Sequence, residues 1–150
     1  MRRVIFITLF GLSIIGYGCN GCCDKNIDGI HIEDIIIYEA DTKYGVDYGD
    51  LVEKSLQKDM SSIKKLSLLE YNDGYSYEHG LILIEIVDRI GEDIFIKSIE
   101  DISAKQKKRV LSYIIAGVDL RNSEKMDFKK RAENYAEDYY PKIYNCLANQ

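Results

Sequence analysis

The apolar positions of this chain fall into two regimes: one unbroken run near the start and, further along, short groups repeated at helical spacing. In residues 50–58, Leu51, Val52, Ser55 and Leu56 share one helical face, and in residues 61–69 Ile63, Leu66 and Leu69 do the same. Asp59 lies between them. Its short carboxylate suits an N-cap, accepting from a first-turn N–H, so the two segments are predicted as an antiparallel helix pair. Tyr71-Asn72-Asp73-Gly74 reads as a turn, and residues 76–90 as the most apolar helix, with Leu83, Ile86, Val87 and Ile90 at i, i+3, i+4 and i+7. This helix is expected at the centre of the core. Gly91 supplies its C-cap, residues 92–100 a shorter helix, and Ser103-Ala104-Lys105-Gln106 the form of a capping box. The helix that box opens carries Val110, Leu111, Ile114 and Ile115 and is predicted to end at Gly117.

In the last stretch, residues 123–150, Phe128, Ala132, Tyr135 and Tyr139 share a face that continues past Pro141 with Ile143, Tyr144 and Leu147. A break at Tyr140 follows, because proline donates no helix hydrogen bond and disfavours helical geometry at the residue before it. Residues 27–41 are ambiguous. Ile30, Ile32, Ile35, Ile36 and Ile37 favour a strand by composition, yet no second strand is evident to pair with it, so a helix or an extended arm on the bundle are the alternatives. The expected fold class is all-α, a compact bundle or short solenoid-like array of about six helices. The alternation of helix, short turn and helix over residues 50–117 resembles, in rhythm alone, the helical pairs of ankyrin-type or HEAT-type solenoids. The Thr-Pro-Leu-His signature is absent and no fixed period is present, so the likeness implies no binding residues.

The unbroken run is Val4 to Ile15, headed by Arg2 and Arg3 and followed by small residues, the anatomy of a secretory signal. As a helix it is about 18 Å long, short against a hydrocarbon core of roughly 30 Å. A signal anchor that draws residues 16–23 into the membrane is the other reading, opposed by the glycines and Asn20. Gly16-Tyr17-Gly18 places small residues at both positions a cleavage site needs, and the bond cut is the one before Cys19. Here the segment resembles a bacterial lipoprotein signal, although Gly16 stands where that family usually has a Leu-like residue. The resemblance implies that Cys19 is acylated and becomes the mature N-terminus, lipid-anchored in the cell membrane or outer membrane. The alternative fate is a free Cys19 on a secreted or periplasmic protein. The organisation expected is therefore a signal over residues 1–18, a tether over residues 19–28 and one domain over residues 29–150.

The charge narrows the partners. The whole chain has 20 basic and 25 acidic side chains, and losing Arg2 and Arg3 with the signal takes the formal charge from −5 to −7. Nucleic acid is disfavoured, since the basic clusters around Lys105 to Arg109 and Lys129 to Arg131 are short and interleaved with acids. A membrane contact would have to come from the lipid on Cys19, not from a polybasic surface. Cys19-x-x-Cys22 has a metal-like spacing, but no later pair closes a tetrahedral site, so no metal and no cofactor are expected. With Cys19 lipidated, Cys22 or Cys23 can bridge to Cys146, closing a long loop worth roughly 4–5 kcal/mol in the chain-entropy model, or all three remain thiols.

Candidate chemistry is sparse. His79, in Tyr77-Glu78-His79-Gly80, is a base beside a carboxylate, and His31 is the only other histidine. Paired carboxylates abound and are uninformative for that reason; Glu85 and Asp88, on the most apolar helix, are the exceptions, with Glu85 set for a surface pair with Arg89. No glycine-rich phosphate loop, nucleophile elbow or His-Glu-x-x-His stretch occurs. Twelve tyrosines are the compositional excess, and their apolar body with a polar tip suits core edges or a recognition surface. That surface is expected around Tyr71, Tyr75, Tyr77 and His79 or along the C-terminal helix. The expected function is a membrane-tethered, non-enzymatic helical domain that binds a protein or peptide partner in the cell envelope, an immunity-type protein being one instance. The competing expectations are a hydrolase using His79 with Glu78 or Glu85, and a purely structural envelope component.

Overall fold

A computed structural model describes residues 24–72, 74–123 and 132–148. Within them the fold is a helical bundle with one small hairpin: β1 (Lys25–Ile27), β2 (Ile30–Ile32), α1 (Asp34–Tyr44), α2 (Tyr48–Leu56), α3 (Met60–Ser67), α4 (Gly74–Ile90), α5 (Glu92–Ser98), α6 (Ala104–Asn122), α7 (Ala132–Tyr139) and α8 (Pro141–Ala148). The all-α class is therefore as expected, with eight helices among the described residues where about six were expected. The main difference lies near the N-terminal end of the described residues, where the stretch left open by the sequence holds a hairpin and α1; the division of the tail into α7 and α8 at Tyr140 is the expected one.

Strand β2 does have a partner. Asp28 and Gly29 both take positive φ, 50° and 86°, which lets a two-residue turn join β1 to β2 in antiparallel register, Ile27 opposite Ile30 and Lys25 opposite Ile32. Asn26 Oδ1 accepts from Gly29 N at 3.0 Å. Ile30 and Ile32 are fully buried while His31 between them is exposed, the alternation of a half-buried strand. Residues 25–28, read from the sequence as the end of the tether, thus belong to the folded body; the signal, Cys19, Cys22 and Cys23 lie outside the described residues.

The helix boundaries follow their caps. Asp47 and Asp59 accept from Asp50 N and Ser62 N at the starts of α2 and α3, and both halves of the Ser103/Gln106 capping box form at the start of α6. Gly45 ends α1 in the left-handed conformation, φ 61°. Gly91, at φ 88°, gives its N–H to Val87 O at the end of α4 and stands as the N-cap of α5. Pro141 opens α8 at its first position, where its missing N–H costs nothing, and Tyr140 is the single non-helical residue between α7 and α8.

Helix α4 is the axis of the core. Leu83, Ile86, Val87 and Ile90 are buried as expected, and so are Ile82 and Ile84, so the helix is apolar on most of its circumference beyond Gly80. Its most extensive partner is α6. The two backbones meet at Gly80 and Gly117: a Cβ on Gly80 would press into the Tyr113 carbonyl and lie 2.8 Å from Gly117 N, and one on Gly117 would collide with the Gly80 carbonyl and lie 2.7 Å from Leu81 N. This contact explains why α6 continues to Asn122 where an end at Gly117 was expected. Gly117 is there for close approach, not for termination.

Asp88, near the C-terminal end of α4, accepts from Arg121 at 2.8 Å and from the Tyr140 hydroxyl at 2.7 Å, tying α6 and the α7–α8 junction to the central helix. On α5, Glu92 accepts from Ile143 N in the first turn of α8 and Asp93 pairs with Lys142 at 2.8 Å. The acidic start of α5 therefore does more than complement its own helix dipole, because it docks α8 as well.

Alanine at a helical glycine ordinarily stabilises by about 0.5–1 kcal/mol. At Gly80 and Gly117 the sign reverses: Gly80→Ala and Gly117→Ala are each expected to cost about 2–4 kcal/mol, because backbone and not a flexible side chain must yield. Gly74→Ala, with nothing within 4 Å, should stay within about 0.5 kcal/mol of wild type in the same urea titrations.

Candidate functional site

Two places gather the residues that the sequence singled out. The first is internal. His79, in the second turn of α4, is fully buried, with its Nδ1 2.8 Å from the Tyr48 hydroxyl and its ring among those of Tyr71, Tyr113 and Tyr48 at centroid separations of 4.7, 4.9 and 5.9 Å. Its Nε2 has no hydrogen-bond partner among the described residues. Burial alone drives the imidazole pKa from 6.5 down to about 3, so the ring is neutral. Burial likewise raises the Tyr48 and Tyr71 hydroxyls well above the usual phenol range.

The tyrosines of this cluster work on the backbone. The Tyr113 hydroxyl accepts from Tyr71 N at 3.0 Å and donates to Tyr71 O at 3.4 Å, while Tyr71 donates its own hydroxyl to Ile36 O on α1 at 3.3 Å. One residue earlier, the Tyr44 hydroxyl accepts from Glu70 N and donates to Glu70 O, both at 2.8 Å, and Lys43 donates to the same carbonyl at 2.7 Å. The segment crossing from α3 to α4 has no helix to satisfy its amides, and phenol hydroxyls from α1 and α6 do so instead. Arg109 of α6 adds an ion pair to Glu70.

Tyr71 and His79, expected on a partner-facing surface, are thus interior residues. The physical reason is tertiary: the Gly80–Gly117 crossing sets α6 beside His79, which also meets Tyr48 of α2, and Tyr71 is held by Tyr113 of α6 and Ile36 of α1. Neither Glu78 nor Glu85 is bonded to His79, whose partner is Tyr48. The pair expected between Glu85 and Arg89 is replaced by backbone contacts, as Arg89 donates to Asp28 O at 3.0 Å and to Glu85 O at 3.4 Å.

The second place is external. Ile35, Tyr38, Glu39 and Thr42 recur at helical spacing on one face of α1, and with Asn72, Gly74 and Tyr75 they line an open groove of about 620 Å³ between α1 and the start of α4. Tyr38 is 64% exposed, Tyr75 41% and the neighbouring Tyr77 42%. Glu78 lies one helical turn beyond Tyr75, and its carboxyl is held above the usual range first by burial and then by the charge of Glu33, the N-cap of α1. Tyr75 and Tyr77 were legible as surface tyrosines. Tyr38, Ile35 and Thr42 were not, because the sequence is ambiguous over residues 27–41; as a helix, residues 34–44 turn Ile36 and Ala40 inward and Tyr38 outward, with Ile35 half-buried at the edge of the core.

Cys146 is half-buried on α8, and the Cys22 or Cys23 expected to pair with it lies outside the described residues. No helix among the described residues is long and apolar enough to cross a membrane. No protein-family model matches the chain, and no curated protein or solved structure is detectably similar to it.

The neutral His79 gives a signed prediction. Below pH 6.5 the unfolded state binds a proton that the native state refuses until about pH 3, so stability falls as pH falls through that window. Between about pH 7.5 and 5.5 the wild type should lose about 1.4 kcal/mol more than His79→Leu does, measured by urea unfolding of each protein at both pH values. Equal losses would show that the imidazole reaches solvent.

Proposed function

We propose that this chain is a membrane-tethered, non-enzymatic helical domain of the cell envelope that is anchored through lipid on Cys19 and binds a protein or peptide partner. The observation that carries the binding reading is the display of Tyr38, Tyr75 and Tyr77 at the surface of a fold that buries Tyr48, Tyr71, Tyr113 and Tyr140. Tyrosine offers large contact area at low entropic cost, and it is enriched among residues that dominate interface energetics. The anchoring reading rests on Arg2, Arg3, the apolar run that follows and the small residues before Cys19. An immunity-type protein that neutralises an envelope-acting toxin is one instance, since an acidic domain suits a basic partner.

The burial of His79 among three tyrosine rings, with its Nδ1 2.8 Å from the Tyr48 hydroxyl, weighs against a hydrolase that uses it as general base, because a base must reach the proton it removes.

Intact mass of the protein extracted from membranes tests the anchor: the expected species starts at Cys19 and carries acyl chains, and an unmodified Cys19 removes the lipid while leaving the binding domain. Affinity capture from envelope extracts tests the binding. A partner should be recovered by the wild type and lost on the combined Tyr75→Ala and Tyr77→Ala substitutions, and repeated failure to recover one counts against the proposal.

A further inference from the structure

We infer that the groove between α1 and α4 takes a basic segment of the partner, an arginine- or lysine-bearing stretch of peptide whose cations lie on Tyr38 and Tyr75 and face Glu33, Glu39 and Glu78. This rests on the reading of the chain as a partner-binding domain and names the site and the chemistry of that partner.

The groove is mainly apolar with a polar edge. Ile35, Tyr38 and Tyr75 give it hydrophobic area, while Glu39, Thr42 and Asn72 supply oxygen acceptors. The base nearest to it on α1 is already occupied: Lys43 donates to Glu70 O at 2.7 Å and stands 3.7 Å from Glu39. Glu33 and Glu78 have no ion-pair partner among the described residues, and the charge of Glu33 helps to keep the Glu78 carboxyl above its usual range. A cation bound beside them relieves that repulsion. An anionic ligand meets it in full, and so does a second copy of this chain, whose formal charge is −5 before any processing.

The fold already contains the pairing that such a partner would make. At the far end of α4, the Arg121 guanidinium lies over the rings of Tyr139 and Tyr140, 5.4 and 5.6 Å from their centroids, while it donates to Asp88 at 2.8 Å. Two tyrosines and a carboxylate hold one arginine there. Tyr38, Tyr75 and Glu39 of the groove, with Glu78 one helical turn beyond Tyr75, present the same kinds of group, and no arginine among the described residues is paired with them.

The test uses the full chain in neutral maltoside micelles and a short fluorescein-labelled peptide of alternating arginine and leucine, read by anisotropy. Two matched peptides carry citrulline or glutamate in place of arginine. The arginine peptide should bind, and it should weaken as salt is raised. Tyr38→Ala and Tyr75→Ala should each weaken it about three- to five-fold, as expected for loss of one cation–π contact at an exposed site. The pair Glu33→Gln with Glu78→Gln should weaken it and flatten the salt dependence, while Met60→Ala, an exposed apolar residue on α3, should leave it unchanged. Circular dichroism confirms that each variant is folded. Equal binding of the citrulline or glutamate peptide, an unchanged Kd in both tyrosine variants, or no binding of the arginine peptide overturns the inference. If an envelope partner is still captured and still lost on Tyr75→Ala with Tyr77→Ala, the basic-segment inference falls alone; if no partner is captured either, the binding function falls with it.

Discussion

The structure depends on two helices touching without side chains between them. At Gly80 and Gly117 the backbones of α4 and α6 approach so closely that neither position has room for a Cβ. This contact makes α4 the axis of the bundle, because a helix apolar on most sides needs cover on most sides, and only a close crossing lets α6 supply it while α2, α5 and the hairpin reach the remaining surface. It also fixes the level of the neighbouring residues. Tyr113 lies one turn before Gly117 on α6 and His79 is adjacent to Gly80 on α4, so their rings come within 4.9 Å of one another as a consequence of the crossing.

Around that crossing the protein spends its tyrosines on backbone. The extended link between α3 and α4 has amides that no ladder satisfies, and at the buried Tyr71 an unpaired amide would be costly. Tyr44 and Tyr113 each place one hydroxyl so that it accepts from the N–H and donates to the C=O of a single residue, Glu70 and Tyr71 respectively. A phenol suits this because its hydroxyl both donates and accepts, and its ring fills the core on the way there. Among the tyrosines, Tyr44, Tyr71 and Tyr113 thus secure one crossing segment, Tyr140 ties the α7–α8 junction to Asp88, and Tyr38 and Tyr75 stand exposed at the groove.

Helix positions were legible wherever the signal was local. Asp59, the Ser103/Gln106 box, Gly91 and Pro141 act through the residues beside them, and each stands where its chemistry placed it. Features that depend on a distant partner were not. Gly117 looks in sequence like any helix-ending glycine, and only Gly80, thirty-seven positions away, makes it a packing residue instead. The exposure of Tyr71 and His79 was misjudged for the same reason, since their burial is conferred by α6 and α2. The hairpin is a different case. Its Asp28-Gly29 turn was present as a recognisable dipeptide, but the strand before it is three residues long and too polar to register as one.

The groove and the internal network are joined through one residue. Tyr71 bonds Tyr113 through its backbone and Ile36 O through its hydroxyl, and Ile36 lies on α1 between the groove residues Ile35 and Tyr38. Asn72, Gly74 and Tyr75, the opposite wall, follow Tyr71 directly in the chain. Both walls are therefore set by the same buried contacts, and a ligand entering between them has little backbone left to order, which lowers the entropic cost of binding. The proposed lipid on Cys19 bears on access as well. Asp24 accepts from Asp34 N at 3.1 Å at the start of α1, so that anchor would lie within roughly 18 Å of chain from the groove's own helix. Under that proposal a partner reaching Tyr38 and Tyr75 would approach close to the bilayer, where an anionic lipid surface would concentrate basic segments of the proposed kind.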